Sequence, residues 1–374
     1  MSGFTPPPLV WETLGDVRAE AERHPGGAID LTIGTPTDPP PPAVVAALGG
    51  SGQERGYPPS IGSAELRAAA SDWMARRLGA TVPPEQVAAT VGSKELVAGV
   101  PQWLRLRRPE RDTVLYPAIS YPTYAMGATL ASIRSVAVPV TPTGTLDLAA
   151  IADEDAGRAL CLWTNSPGNP TGALDDLGTA ASWGRSHGVP VLSDECYAEL
   201  TWSGPARTIL EHGDAGVLAV HSLSKRSNLA GVRCGFYAGD ADLVGFLSQV
   251  RKHAGFMVPG PVQAAATVAL RDDVHVDEQR ARYRRRLDVM LEALRACGFA
   301  IEAPGGAFYL WVPAADGDGA ALTRWFAGRA GLLVTPGVTY GPDGAGFVRL
   351  ALVQPDAEID EAAERLAAAG DAPG

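Results

Sequence analysis

Short apolar runs alternate with amphipathic stretches along the chain from about Gly62 onward. Apolar residues recur at helical spacing over 64–78 and 175–187, and β-rich runs lie at 87–91, 158–163, 189–193 and 216–221. Alternation of strand and helix is typical of a mostly parallel sheet that helices cover on both faces. The pattern therefore predicts an α/β fold.

The pattern changes after Pro261. Helical spacing covers 262–270 and the charged segment 275–297, and strand-like runs follow at 306–311, 331–334 and 346–353. These elements predict a second, smaller α+β domain. The first 42 residues are rich in proline and glycine, which predicts an extended arm around one short helix, of the kind that packs on a partner subunit. We expect disorder only in the tail, 367–374.

Composition narrows the range of functions. The chain of 374 residues has a formal net charge of -11, which argues against nucleic acid or an anionic membrane as the main partner, since both call for clustered lysine and arginine. The four cysteines lie far apart without a CxxC pair, so neither a zinc site nor a disulfide framework is indicated. The N-terminus does not look like a leader, and no apolar run reaches the roughly 18 residues of a membrane span. We expect a cytoplasmic protein with a small-molecule substrate.

Polar residues directly after β-rich runs are the first places to look for a site, because ligands collect at the carboxyl ends of strands in an open parallel sheet. The first such segment is 91–96 (VGSKEL), where a strand turns through Gly92 into a helix and offers backbone N–H groups to an anion. This favours a phosphate site. An ordinary helix start with Ser93 as the N-cap explains the same residues.

Two further segments carry polar groups after β-rich runs. Residues 165–172 (NSPGNPTG) follow the run at 159–163, and they also form a turn rich in proline and glycine. Asp194, in 193–197 (SDECY), ends a buried run and needs a cationic or hydrogen-bonding partner. A protonated pyridine nitrogen would serve, and N-capping of a helix is the alternative.

The most specific segment is 222–235 (SLSKRSNLAGVRCG), which follows the apolar run at 217–220. A lysine at a strand end can lose its proton through desolvation and neighbouring cations, and then attack an aldehyde. Lys225 is therefore a candidate nucleophile. A surface loop is nevertheless the commoner place for a lysine.

In this order and spacing the segments resemble the class I and II aminotransferases of pyridoxal-phosphate fold type I. The match runs from about Ile33 to Val353 and rests on the NPTG segment, the D-x-x-Y of 194–197 and the SLSK-x7-R pattern that ends at Arg233. The resemblance implies a seven-stranded, mostly parallel sheet in a large domain, and a smaller α+β domain. In these terms we place the N-terminal arm at 1–30, a small-domain segment at 31–48, the large domain at 49–262 and the small C-terminal domain at 263–374.

The resemblance also implies a role for each matching residue in holding pyridoxal phosphate. Lys225 matches the lysine that forms the Schiff base and moves the substrate proton, and Asp194 matches the carboxylate that pairs with the pyridine nitrogen. The ring phenolate would contact Asn169 and Tyr197, and Tyr121 would stack on the ring. The phosphate would be held by polar residues at the strand ends and by a tyrosine reaching across a homodimer: Ser93, Lys94, Ser222, Ser224, Arg233 and Tyr57.

For the substrate, Arg349 in the strand-like segment 347–352 (FVRLAL) matches the arginine that grips the α-carboxylate as a bidentate pair. Gly34 would offer backbone contact, and Asn169 would also lie beside the substrate. A surface strand arginine in a salt bridge is the alternative, but the apolar neighbours on both sides argue against a solvated face.

Longer stretches resemble the bacterial N-succinyldiaminopimelate aminotransferases of lysine biosynthesis. They are 33–39 (IGTPTDP), 91–97 (VGSKELV), 193–200 (SDECYAEL), 221–231 (HSLSKRSNLAG) and 251–255 (RKHAG). The resemblance implies ping-pong transfer of the amino group from N-succinyl-LL-2,6-diaminopimelate to 2-oxoglutarate. The long dicarboxylate side chain needs a second polar site, for which Arg226, Lys252 and His253 are candidates, each equally explained as a surface residue.

Three other functions fit parts of the pattern. A transaminase for another amino acid, or a carbon–sulfur β-lyase, would use the same lysine and cofactor. A non-catalytic regulator that senses pyridoxal phosphate would carry a basic helix-turn-helix module, for which this acidic chain leaves little room.

Overall fold

The computed structural model describes residues 4–8 and 10–373. Its helices are α1 (Val10–Thr13), α2 (Gly15–Ala21), α3 (Pro42–Gly50), α4 (Ala64–Leu78), α5 (Ser93–Arg107), α6 (Thr123–Leu130), α7 (Asp153–Arg158), α8 (Leu177–His187), α9 (Leu223–Arg226), α10 (Ala241–His253), α11 (Gly260–Arg271), α12 (Val274–Ala296), α13 (Gly319–Ala330) and α14 (Asp356–Ala369). Its strands are β1 (Ile29–Asp30), β2 (Val87–Thr90), β3 (Thr113–Pro117), β4 (Arg134–Val138), β5 (Ala159–Asn165), β6 (Val191–Asp194), β7 (Val217–Ser222), β8 (Gly235–Gly239), β9 (Tyr309–Pro313), β10 (Leu332–Leu333), β11 (Thr335–Pro336) and β12 (Phe347–Ala351).

The largest sheet has seven strands in the order β2-β8-β7-β6-β5-β3-β4. Neighbouring strands from β7 through β4 pair in parallel, and β8 runs antiparallel to both β2 and β7. Every residue of β5, β6 and β7 is buried, because helices cover both faces of the central strands. The predicted seven-stranded, mostly parallel sheet is confirmed.

Helix α4 shows how local sequence sets an element. The Ser63 hydroxyl accepts the Leu66 N–H at 3.1 Å and satisfies one free donor of the first turn. The helix ends at Gly79, whose φ of 69° lies in the left-handed region that favours glycine. Between these ends Leu66, Trp73 and Met74 are buried in the core beneath the sheet. The helix predicted at 64–78 is confirmed.

The chain divides into two compact units. The larger unit comprises Thr35–Arg282 and Pro304–Ala307, and contains the seven-stranded sheet. The smaller unit comprises the described residues up to Gly34, Tyr283–Ala303 and the described residues from Phe308 onward. It contains the antiparallel sheet β11-β12-β9 and the parallel pair β1-β10. The boundaries proposed from sequence, with 31–48 and 263–374 in the small domain, stay a prediction about domain organisation.

Some elements differ from the expectation. Two short helices, α1 and α2, stand where one was expected, and α14 extends to Ala369 into the tail expected to be disordered. Strand β4 is an edge strand with exposed residues, so it lacks the apolar run that marked the central strands β5, β6 and β7. Among the described residues, no helix is both long and apolar enough to span a bilayer.

Candidate active site

The carboxyl ends of three parallel strands lie side by side in the larger unit. In the register of the sheet Asn165, the last residue of β5, pairs with Asp194, the last residue of β6. Asp194 in turn pairs with Val220 of β7, which ends two residues later at Ser222. The sheet therefore brings together the polar segments that the sequence singled out after these strands.

Asp194 is a buried carboxylate at the centre of this edge. The Tyr124 hydroxyl donates to its Oδ2 at 2.9 Å, and the Cys196 N–H donates to its Oδ1 at 3.3 Å. Burial raises the pKa of Asp194 above its usual value, while hydrogen bonds from Cys196 and Tyr124 and the positive charge of Lys225 oppose that rise. A buried carboxylate held mainly by neutral donors is suited to pair with a further cationic group, such as a protonated ring nitrogen.

An aromatic cluster supports Asp194. The ring of Tyr124 stacks on Trp163 with 5.1 Å between centroids, and its edge meets the ring of Tyr121 at 6.0 Å. Lys94 Nζ lies 5.9 Å from the centroid of Tyr121. No role was predicted for Tyr124 from the sequence. The signal in the sequence was the spacing. Tyr124 lies three residues after Tyr121 at the start of α6, and residues at this spacing lie on the same face of a helix.

Asn165 joins the NPTG loop to β6. Its Oδ1 accepts the Asn169 N–H at 2.8 Å, and its Nδ2 donates to the Asp194 carbonyl at 2.8 Å. Asn169 and Tyr197, the two residues predicted to contact the ring phenolate, are both buried. Sequence reasoning missed Asn165, because an asparagine that begins a loop rich in proline and glycine looks like a turn residue.

The turn before α5 has the form of an anion site. Gly92 has φ 72° and is itself the N-cap, without a side-chain cap, so the alternative that placed Ser93 at the N-cap is wrong. The Arg233 guanidinium lies against Gly92 in the space that a Cβ would fill. Ser93 Oγ accepts the thiol of Cys196 at 3.3 Å, which ties the turn to the end of β6. Backbone N–H groups and a guanidinium thus converge at one turn.

Lys225 sits in the short helix α9 at the end of β7. Ser222 is the N-cap, with its Oγ accepting the Ser224 N–H at 3.1 Å and lying 3.0 Å from the Ser224 hydroxyl. Lys225 is half-buried, and its charge opposes the rise that burial causes in the pKa of both Asp194 and Cys196. The structure therefore brings Lys225 to the same edge as Asp194, and the alternative of a solvated surface lysine does not describe it.

Arg226 is occupied by other groups. It is buried, with Nε 2.5 Å from Glu199 Oε2 and Nη1 donating to the Ala269 carbonyl at 2.9 Å. Its charge is already paired, so Arg226 is not available to a substrate carboxylate, nor is it a surface residue. The other two candidates, Lys252 and His253, are exposed at the end of α10.

Arg349 belongs to the smaller unit and is only 5% exposed, so the alternative of a surface salt bridge is wrong. Its Nη2 donates to the Thr32 carbonyl at 2.5 Å. The guanidinium carbon lies 4.2 Å from the ring centroid of Tyr309 and 5.0 Å from that of Tyr340. Gly34 is buried against Tyr309, whose hydroxyl occupies the space that a Cβ would take. Of the three residues predicted to bind substrate, Arg349 and Gly34 thus both lie against Tyr309.

Tyr57 stands apart from the other predicted residues. It is 97% exposed, in a segment of the larger unit without regular secondary structure. Its predicted reach to the phosphate across a homodimer stays a prediction.

The comparisons with known proteins identify the family of the chain. The chain belongs to the class I and II aminotransferases, whose family model matches residues 27–366. It is 43% identical to a probable aminotransferase, Rv1178, of Mycobacterium tuberculosis, over 96% of this chain and 85% of that one. It is 39% identical to the 4-dedimethylamino-4-oxo-anhydrotetracycline transaminase OxyQ of Streptomyces rimosus, over 96% and 99% of the two chains.

Among solved structures, it is similar to a probable N-succinyldiaminopimelate aminotransferase of Thermus thermophilus, with a TM-score of 0.86 and 33% identity over 96% and 100% of the two chains. The class I and II aminotransferases use pyridoxal phosphate. This protein is therefore a pyridoxal-phosphate-dependent aminotransferase.

Proposed function

We propose that the enzyme transfers the amino group of N-succinyl-LL-2,6-diaminopimelate to 2-oxoglutarate, in the lysine branch of amino-acid biosynthesis. The observation that carries the proposal is the run of five sequence stretches similar to that family, from 33–39 to 251–255. The similarity to the Thermus protein over the whole of its length supports it.

The residues at the sheet edge fit pyridoxal phosphate. Asp194 offers a buried carboxylate to the ring nitrogen, and Tyr121 offers an aromatic face to the ring. The Gly92 turn and Arg233 offer backbone N–H groups and a guanidinium to the phosphate, with Ser93, Lys94, Ser222 and Ser224 around them. In this proposal Asn169 and Tyr197 donate to the ring phenolate.

When bound, pyridoxal phosphate supplies an aldehyde that takes up the amino group and a ring that accepts the electrons of the substrate Cα–H bond. Lys225 would hold the cofactor through its side-chain amine, and the same amine, when free, would move the proton between the substrate Cα and C4′. Asp194 keeps the ring nitrogen protonated by stabilising its positive charge. Arg349 holds the α-carboxylate and so fixes the direction of the Cα–H bond.

The side-chain carboxylates of the substrate need further partners. With Arg226 bound to Glu199, the exposed Lys252 and His253 remain as candidates from the sequence. A second candidate function is amino transfer to a ring ketone, which the 39% identity to OxyQ favours. The two functions differ in the acceptor, since one uses an oxo acid and the other a ketone without a neighbouring carboxylate.

A donor and acceptor screen tests the proposal. The holoenzyme is incubated with N-succinyl-LL-2,6-diaminopimelate, aromatic and branched amino acids and glutamate, and the oxo-acid products are identified by mass spectrometry. We expect the highest kcat/KM with N-succinyl-LL-2,6-diaminopimelate and 2-oxoglutarate. No turnover with that donor, together with good turnover of another amino acid, would overturn the substrate. Release of pyruvate and ammonia from cystathionine would instead reveal a β-lyase.

A further inference from the structure

Two of the stretches that carry the family resemblance, 91–97 and 251–255, meet at a largely buried ion pair in the larger unit. Glu95 stands in the first turn of α5, and Arg251 in the last turn of α10. Nη1 and Nη2 of Arg251 each donate to one carboxylate oxygen of Glu95 at 2.7 Å. The side chain of Arg251 is 2% exposed and that of Glu95 is 18% exposed. The two helices are therefore joined by a bidentate charged contact.

The surroundings of Arg251 hold its guanidinium in one place. The guanidinium carbon lies 5.3 Å from the ring centroid of Trp103, 5.2 Å from that of Phe256 and 5.9 Å from that of Tyr237. A buried guanidinium is costly without a charged partner, and here one carboxylate and three aromatic rings compensate. Because the guanidinium is enclosed, the planar fork that it forms with Glu95 fixes the orientation of that carboxylate.

Glu95 and Arg251 also contact the chain where it enters the Gly92 turn. Glu95 Oε1 accepts the Val91 N–H at 2.9 Å. Arg251 Nη2 donates to the Ala89 carbonyl at 3.4 Å. Ala89 belongs to β2 and Val91 directly precedes Gly92, whereas Glu95 lies beyond the turn. The ion pair therefore ties the strand to the helix across the turn.

The bond from Val91 sets the direction in which the chain enters the turn. The first N–H groups of a helix have no partner inside it, so those that follow Val91 remain for an anion. Gly92 has φ 72°, and the Arg233 guanidinium lies against it. A fixed entry into this turn keeps the backbone donors and Arg233 pointed at one place, and such preorganisation strengthens the binding of a charged group.

The charge of Glu95 would work against an anion at the turn if it were left unpaired. The positive end of the helix dipole attracts a carboxylate in the first turn and a bound phosphate alike, and the two negative groups repel each other. Arg251 cancels the charge of Glu95 through two charged hydrogen bonds. The helix end and Arg233 then remain available to the phosphate.

We propose that Glu95 and Arg251 are positioning residues for the cofactor phosphate. Glu95 holds the Gly92 turn in shape, and Arg251 fixes Glu95 and cancels its charge. The proposal rests on the proposed assignment of the Gly92 turn to the phosphate. Neither side chain needs to touch the cofactor. Their loss should therefore weaken recognition of the phosphate and leave recognition of the ring unchanged.

The test compares two ligands, pyridoxal phosphate and pyridoxal, which lacks the phosphate. Each is titrated into the full chain freed of cofactor, and absorption measures its binding. In Glu95→Ala we expect the Kd for pyridoxal phosphate to rise by about 10-fold to 100-fold, the range found when partners one step removed from a metal are replaced. The Kd for pyridoxal should stay at the wild-type value. Glu85→Gln, at an exposed glutamate before β2, is the matched control.

The comparison separates positioning from general support of the fold. Glu95→Gln keeps an acceptor for the Val91 N–H, so it should recover part of the loss seen in Glu95→Ala. An unchanged Kd for pyridoxal phosphate in Glu95→Ala, or an equal rise for both ligands, would overturn the proposal. If Glu95→Ala does not fold, the double variant Glu95→Gln/Arg251→Leu, which buries no unpaired charge, should show the same selective loss.

Arg251→Leu tests the cancellation of charge. It leaves Glu95 bonded to Val91 but without a cationic partner, so the Kd for pyridoxal phosphate should rise. Adding Glu95→Gln to Arg251→Leu removes the unpaired charge and should bring the Kd part of the way back. A double variant that binds pyridoxal phosphate as weakly as Arg251→Leu does would contradict this part of the proposal.

Arg233→Ala distinguishes this proposal from the assignment on which it rests. If Arg233→Ala leaves the ratio of the two Kd values at the wild-type value, the turn does not hold the phosphate, and both ideas are refuted. A changed ratio in Arg233→Ala together with a wild-type ratio in Glu95→Ala would refute the positioning role alone. These titrations use no amino donor, so their outcome is independent of the proposed substrate.

Discussion

The ends of β6 and β7 and the strand that carries Arg349 hold their charged side chains in different ways. Asp194 is held by hydrogen bonds from Tyr124 and Cys196 and by the charge of Lys225. Arg349 is held by a backbone carbonyl and by the faces of two tyrosine rings. The first region sets the charge of the Asp194 carboxylate, and the second fixes the orientation of the Arg349 guanidinium. We therefore expect substitutions in the first region to change kcat and the cofactor spectrum, and substitutions in the second to change KM.

Asp194→Asn should have the largest effect on activity. The amide keeps the shape but cannot stabilise a positive ring nitrogen, so kcat should fall by about 10³-fold, the size of losing one preorganised electrostatic contact. Steady-state kinetics and the absorption spectrum of the bound cofactor measure this. Glu195→Gln, the neighbouring substitution, should cost much less. An equal loss of kcat in Asp194→Asn and Glu195→Gln would contradict a special role for Asp194.

Arg349→Ala should mainly raise KM, by about 10²-fold, because the substrate carboxylate loses a buried charged partner worth about 2–5 kcal/mol, part of which water regains in the opened space. Arg349→Lys keeps the charge without the bidentate fork, so it should recover only part of the loss. Arg324→Ala, an exposed arginine on α13, is the matched control. A KM that stays at the wild-type value in Arg349→Ala would reject the carboxylate role.

Tyr124→Phe should have the smallest effect. It removes one hydrogen bond to Asp194 and keeps the stacking on Trp163. The ionised carboxylate should therefore lose about 1–2 kcal/mol of stabilisation. Hydrogen bonding to the ionised carboxylate lowers its pKa, so losing the donor raises the pKa of Asp194 further. The acidic limb of the kcat/KM profile should therefore move to higher pH. A limb that moves to lower pH, or does not move, would show that this hydroxyl does not tune Asp194.

The sequence predicted the residues whose surroundings are local and left out those whose partners are distant. The segments around Asp194 and Lys225 could be located because ligands collect at the carboxyl ends of strands in a parallel sheet. A strand end is recognised from a few neighbouring residues. Asn165 and Tyr124 contact the end of β6 from 29 and 70 residues away. The spacing of Tyr124 from Tyr121 was a weak local signal, and Asn165 looked like an ordinary turn residue. Arg349 meets Thr32 across 317 residues, and it was predicted from the resemblance to a known family rather than from this contact.

Arg226 also shows that a partner elsewhere in the chain limits what the sequence predicts. It was one of three candidates for the site of the substrate side chain, but it pairs with Glu199 within the core. Only the fold shows that Arg226 is buried and already has an acidic partner. The turn at Gly92 is intermediate, since the glycine was recognised as the turn into a helix but the alternative that placed Ser93 at the N-cap was wrong.

The central claim is that Lys225 binds the cofactor at the edge defined by Asp194. The direct test is borohydride reduction of the holoenzyme, followed by proteolysis and mass spectrometry of the labelled peptide. The lysines of the chain are Lys94, Lys225 and Lys252, so the assignment is a choice among known positions. We predict the pyridoxyl label on Lys225, with Lys225→Ala unlabelled and without the absorption of the lysine-bound cofactor. A label on Lys94 or Lys252 in the wild-type protein would contradict the account.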